Sequence, residues 1–205
     1  SCWPMKPKLR KVRIDMSDRN FLSQRRAVLR ALAVMAVGSA LAEQPTAQAT
    51  EVPAPGKPGD FEFLAGKWKI SHRKLKNAAG NVWDEFTGSA TCWSILNGVG
   101  SIEELCIPEN NPIGMGLRLL DVEKQIWSDY WVSRKTGVLM PAGLIGGFEN
   151  GVGTFLADDV DGDVPIKVHG VWDRITPTSC RWRQGTSRDR GKTWKDEWFM
   201  DWIRA

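Results

Sequence analysis

His72 and His169 are the only two histidines in 205 residues, and that limits the metal chemistry open to the chain. Two imidazoles without a paired-cysteine spacing cannot build a structural zinc site. One imidazole can hold a haem iron from its proximal side, so haem is the alternative to an expectation of no cofactor and no metal. The acid-rich run Asp158-Asp159-Val160-Asp161-Gly162-Asp163 lacks the D-x-D-x-D-G spacing and later Glu of a calcium loop, and it reads as a solvated hairpin tip. Glu103 and Glu104 are adjacent, as are Asp84 and Glu85, so on a strand each pair splits between opposite faces. There is no G-x-S-x-G nucleophile elbow. The glycine-rich stretch 143–147 lacks the helix and Lys of a phosphate-binding loop and reads as a turn or a close-packing site.

The stronger signal is aromatic. The chain has 11 Trp, ten of them beyond Gly66. Indoles stack on flat ligands, sugars and acyl chains, and they also simply fill small cores. Trp127, Asp129, Trp131 and Ser133 alternate along one strand, and this mixture suits a pocket wall better than a sealed core. Arg118 and Gln184 are further polar candidates. The expected ligand-binding set is therefore His72, Arg118, Trp127, Asp129, Trp131 and Gln184. If the site is catalytic, His72, Asp129 and Arg118 are the first candidates, acting on an organic acid or a lactone. A third possibility is a barrel filled by Trp68, Trp182, Trp198 and Trp202 that binds a partner through its outer surface.

These residues need strands to position them. Beyond residue 60 the apolar positions alternate in short runs, with no helical period sustained over three turns. Strands are expected near 66–74, 82–96, 100–107, 114–121, 125–134, 143–149, 151–158, 165–174, 178–187 and 193–204. Asn97-Gly98, Asn150-Gly151, Asp161-Gly162 and Arg190-Gly191 supply turns that tolerate positive φ. Hairpin-short connections imply a meander, and about ten such strands must hide two edges, which closure into an up-and-down barrel achieves. A sandwich is the runner-up. A short helix around 60–64 is expected to plug one end. On the first strand Gly66, Trp68, Ile70 and His72 share a face. On the last strand Trp194, Trp198, Met200, Trp202 and Arg204 are expected to share one.

A loop over 98–100 would pair residues whose numbers sum to 198, which sets Cys92 directly opposite Cys106. A Cys92–Cys106 disulfide is then expected, with Cys180 free; independent buried thiols are the alternative. The run Ser187 to Trp194 has the pattern S-x-D-x-G-x-T-W and resembles the Asp box of sialidase propellers. One copy reads as a structural hairpin. The Asp accepts backbone N–H bonds, the Gly permits the turn and Trp194 anchors the hairpin.

The first part of the chain has a different character. Residues 1–49 carry 9 Lys/Arg and 3 Asp/Glu (net +6); residues 50–205 carry 19 and 21 (net −2), which together make the +4 of the whole. The body lacks the basic surface that nucleic-acid binding needs. Gln24-Arg25-Arg26-Ala27-Val28-Leu29-Arg30 resembles the twin-arginine export motif. A mild apolar run of about a dozen residues follows, too short for a membrane span of roughly 20. Two A-x-A cleavage sites follow, Ala40-Leu41-Ala42 and Ala47-Gln48-Ala49, and the Pro/Gly-rich spacer from Val52 to Gly59 favours the second. The expected organisation is an upstream extension outside the native protein over 1–15, a twin-arginine signal peptide over 16–49, a flexible linker over 50–60 and a barrel over 61–205. Partners are then the export machinery and a small-molecule ligand, and the location is periplasmic or secreted.

Phe63-Leu64-Ala65-Gly66-Lys67-Trp68 resembles the G-x-W start of lipocalins and fatty-acid-binding proteins, the calycin group. That resemblance implies that Trp68 packs at the closed end of a barrel beside a late basic residue, here Arg204. The runs at 127–131, 147–153, 172–177 and 191–201 are similar to a bacterial family of uncharacterised secreted lipocalin-like proteins. The likeness implies a calycin-type barrel and supplies no catalytic residues.

Overall fold

In a computed structural model, the structure describes residues 54–108, 111–139 and 143–205. The expected upstream extension, twin-arginine signal peptide and cleavage site lie outside these residues. The described chain forms ten antiparallel strands: β1 Gly66–Asn77, β2 Val82–Ile95, β3 Gly100–Cys106, β4 Pro112–Asp121, β5 Ile126–Ser133, β6 Leu144–Glu149, β7 Val152–Asp161, β8 Val164–Asp173, β9 Ser179–Ser187 and β10 Lys195–Arg204. Each strand pairs with the next, and β10 returns to β1, closing the barrel. This is the expected up-and-down barrel, and closure leaves no strand edge unpaired.

Local chemistry explains the turns. At the β1–β2 tip, Asn77 Oδ1 accepts the backbone N–H groups of Ala79 (2.9 Å) and Gly80 (3.2 Å). At the β6–β7 tip, Asn150 and Gly151 adopt φ of 50° and 79°, the paired positive values of a two-residue hairpin matched to strand twist. Along β1 the alternation expected from sequence holds: Trp68, Ile70 and His72 are buried, while Lys67, Lys69 and Arg73 are exposed.

One end is sealed. A 3-10 turn over Glu62–Leu64 caps it, as the short helix was expected to. Residues 54–60, expected as flexible linker, are instead pinned to this end. Gly56 N donates to Gln125 O at 2.7 Å, Gly59 N to Gly98 O at 3.0 Å, and Asp60 Oδ2 accepts from Trp127 Nε1 at 3.0 Å. Satisfied backbone groups and a buried Gly56 hold the segment in place. Above the cap, Trp68, Trp127, Trp172 and Trp202 are each 1% exposed or less. Phe61 packs edge-on against Trp127 and Phe148, and Trp202 packs against Trp68 and Trp172. Burying one indole removes about 200 Å² from water, worth at most about 5 kcal/mol.

Two expectations are corrected. The β2–β3 connection is wider than a 98–100 loop, because Leu96, Asn97 and Gly98 all adopt left-handed φ (54°, 53° and 84°). Pairing starts at Ile95↔Gly100, so opposed numbers sum to 195. Cys92 then faces Glu103 and Cys106 faces Ser89, and Cys92, Cys106 and Cys180 are buried and outside any disulfide. The second correction concerns Trp194, which does not share a face with Trp198. The β9–β10 register shifts between Asp196 and Trp198, reversing the alternation there. Trp194, just before β10, stacks on His169 at 4.1 Å and 11°.

Candidate functional site

Carried strand to strand, the register puts His72, Arg118, Asp129, Trp131 and Gln184 on the inner wall with Trp68. Trp127 is also inward, but it belongs to the sealed end, where it is wholly buried against Phe61 and bonded to Asp60. It is therefore part of the packed floor and not of a ligand-accessible wall.

Burial changes along the barrel axis. At the end opposite the cap, the inward Phe86, Trp131, Leu144, Trp182, Gln184 and Trp198 are all partly exposed. Of these, Trp131, Leu144, Trp182 and Trp198 pack against the core, and all line the open mouth of the barrel, an aromatic cup above the sealed lower half. Glycines shape its wall. A Cβ at Gly88 would come within 2.8 Å of His72 Nε2, and one at Gly114 within 2.5 Å of the Trp131 ring. The missing Cβ atoms leave room for both rings beside the wall.

Arg118 and Asp129, candidates on neighbouring strands, do meet, and Glu103 joins them. Arg118 Nη2 donates to Glu103 Oε2 at 2.5 Å, and Arg118 Nε stands 3.4 Å from Asp129 Oδ1. The guanidinium also lies over Phe61 (5.3 Å) and Trp172 (5.2 Å), two rings of the floor. The side chains of Arg118 and Glu103 are 5% and 3% exposed, whereas that of Asp129 is 16% exposed. Burial pushes the Asp129 carboxyl up to about 6, with Arg118 opposing and Glu103 adding to the shift. Such a group exchanges its proton near neutrality.

His72 sits elsewhere on the wall. It stacks on Phe86 at 4.7 Å, and its Nδ1 accepts from Trp198 Nε1 at 3.3 Å. Burial, with Lys74 nearby, holds it down at about 4, so it is neutral at pH 7. The structure therefore joins Arg118 and Asp129 but places His72 against Phe86 and Trp198. Gln184 lies opposite Trp198 on the β9–β10 ladder.

Sequence reasoning set Glu103 aside because Glu104 is its neighbour. The two do split between faces, and Glu103 is buried while Glu104 is exposed. Its partner comes from β4, so the usable signal was the inward parity of Leu105 and Arg118 once the strands are aligned. His169 points outward, opposite to Trp172. There its Nε2 bonds Asp196 at 2.7 Å, and Asp196 also receives Arg183 at 2.8 Å. This outer network fastens the Trp194 hairpin. A groove of about 420 Å³ at β1 and β2 is lined by Ser71, His72, Arg73, Glu85, Phe86, Thr87 and Asp201. Among the described residues no cluster of three or more His, Cys, Asp or Glu could hold a metal ion. No helix of the described residues is long and apolar enough to cross a membrane. No protein-family model matches the chain, and no curated protein matches it in sequence.

Proposed function

We propose that this protein binds a small ligand of apolar or aromatic character in the upper cup of the barrel, and that it works outside the cytoplasm after twin-arginine export. The observation that carries the binding reading is the contrast within one aromatic interior. The indoles of the capped end are sealed, while Trp131, Trp182 and Trp198 at the other end keep exposed surface. A concave wall of aromatic side chains with few polar groups is the usual make-up of a small-molecule site. The export reading rests on the leader pattern and on the concentration of positive charge in residues 1–49. The resemblance to secreted lipocalin-like barrels agrees with both.

The binding reading is tested by titration with 1-aminoanthracene, a neutral fluorophore that brightens in apolar cavities. One saturable site with energy transfer from Trp is expected. Gln184→Trp, which fills the cup opposite Trp198, is expected to abolish it while the protein stays folded. No saturable binding, or full binding in Gln184→Trp, would contradict the proposal. Export is tested by replacing Arg25 and Arg26 together with Lys, which is expected to hold the protein in the cytoplasm.

A further inference from the structure

Asp129 and Glu103 share one cation unequally. Arg118 gives Glu103 its short hydrogen bond, whereas its Nε forms only an ion pair with Asp129 and is left without an aligned hydrogen-bond partner. Two carboxylates against one guanidinium leave a surplus negative charge whenever both acids are ionised. In a low-dielectric interior such a charge is costly until a proton or a counter-charge meets it. Among the described residues, the charged groups acting on Asp129 are Arg118 on β4 and Glu103 on β3; across the β5–β6 ladder it faces Leu144. At the rim, the register also turns Lys74, Lys195, Asp84 and Asp159 inward; Asp84 is ion-paired with Lys76 at 3.3 Å and Lys195 with Glu197 at 3.9 Å. Arg204 is engaged at the capped end by the carbonyl oxygens of Phe63, Ala65 and Pro177. Of the trio, Asp129 keeps the most exposed side chain, 16% against 5% and 3%.

A further observation agrees with a cation at this end of the barrel. The cup already seats an ammonium on one of its indoles, with Lys74 Nζ 4.0 Å from the Trp198 ring centroid.

We propose that the cup selects amines: the ligand's ammonium group docks on the Asp129 carboxylate, and its aromatic or aliphatic body lies along Trp131, Trp182 and Trp198. The selection rests on the cup being a ligand site. It is tested by calorimetric titration of the protein with 2-phenylethylamine, 2-phenylethanol and 3-phenylpropanoate, three probes of similar shape and different charge. At pH 7.5 the amine is expected to bind at least tenfold more tightly than the alcohol, with the carboxylate weakest. In Asp129→Asn the advantage of the amine over the alcohol falls to within twofold. The unaltered protein gives a second measurement that needs no variant. At pH 5 Asp129 takes up a proton and His72 stays neutral, so the amine's advantage shrinks there as well. Equal affinities at pH 7.5, or an advantage that persists in Asp129→Asn and at pH 5, would overturn the selection for amines. Failure of all three probes to bind would overturn the cup itself as a ligand site.

Discussion

The guanidinium of Arg204 lies 4.0 Å from the centroid of the Trp68 ring, across the seam where the last strand meets the first. It also donates to the carbonyl oxygens of Phe63, Ala65 and Pro177, so one side chain ties together the cap, the first strand and the β8–β9 turn. A planar fork makes these contacts and a single ammonium cannot. Arg204→Ala is expected to cost about 2–4 kcal/mol in urea denaturation, through lost cation–π contact and unsatisfied carbonyls. Arg204→Lys is expected to recover less than half of that. A loss under 1 kcal/mol in Arg204→Ala would show that the seam is held elsewhere.

Asp129 makes stability depend on pH in a direction unusual for a carboxylate. Its folded pKa is raised from 3.8 to about 6, so the folded state binds the proton more tightly than the unfolded chain. The contribution of Asp129 is therefore most favourable below pH 4, is lost as pH rises from about 4 to 6, and is flat above. Asp129→Asn removes this dependence. Relative to the unaltered protein, the variant should gain up to about 3 kcal/mol between pH 4 and pH 7. Denaturation curves at both pH values check it, and a pH-independent difference would contradict it.

The barrel cysteines are expected to stay reduced and slow to react. Burial pushes the Cys180 thiol up to about 12 and moves Cys92 in the same direction. A thiol that does not ionise near neutrality is a poor nucleophile. At pH 8 a thiol-reactive disulfide should label Cys92 and Cys180 only as fast as the protein unfolds, and reductant should leave the denaturation midpoint unchanged. A crosslinked peptide pair containing Cys92 and Cys106 would contradict the β2–β3 register.

Asp189 organises the β9–β10 hairpin. Its carboxylate accepts from Thr193 Oγ1 (2.6 Å), Thr193 N (2.9 Å) and Ser187 Oγ (2.7 Å), and these bonds hold its pKa far below the ordinary carboxylate range. Asp189→Ala is expected to speed amide exchange at Thr193 and Gly191 at least tenfold and to loosen Trp194 from His169. Amides of the capped end, such as Trp68, should keep their protection. Equal acceleration at both ends would mean that the hairpin is not an independent unit.

The fold was legible because alternation and turn chemistry act locally. Asn150-Gly151 and the Lys/Trp alternation of β1 each specify their element without help from distant residues. Legibility ended where one extra residue changes parity. Three consecutive left-handed residues at Leu96, Asn97 and Gly98 moved Cys106 off Cys92. The shift between Asp196 and Trp198 sent Trp194 to the outer face. The site was legible by residue type and not by depth. Alternation placed Trp127, Asp129 and Trp131 on one face, but only the cap shows that Trp127 is sealed while Trp131 borders the cup. Glu103 was missed because its partner Arg118 comes from the next strand, a pairing that depends on register rather than on any local pattern.

The division of the interior into a sealed half and a ligand-accessible half is tested most directly through the indole N–H resonances of the 11 Trp. Titration of ¹⁵N-labelled protein with 1-aminoanthracene should shift the signals of Trp131, Trp182 and Trp198. Those of Trp68, Trp127, Trp172 and Trp202 at the capped end should stay in place, as should those of Trp93 and Trp194. Shifts confined to Trp93 or Trp194, or no shift at saturating probe, would contradict a ligand site inside the barrel.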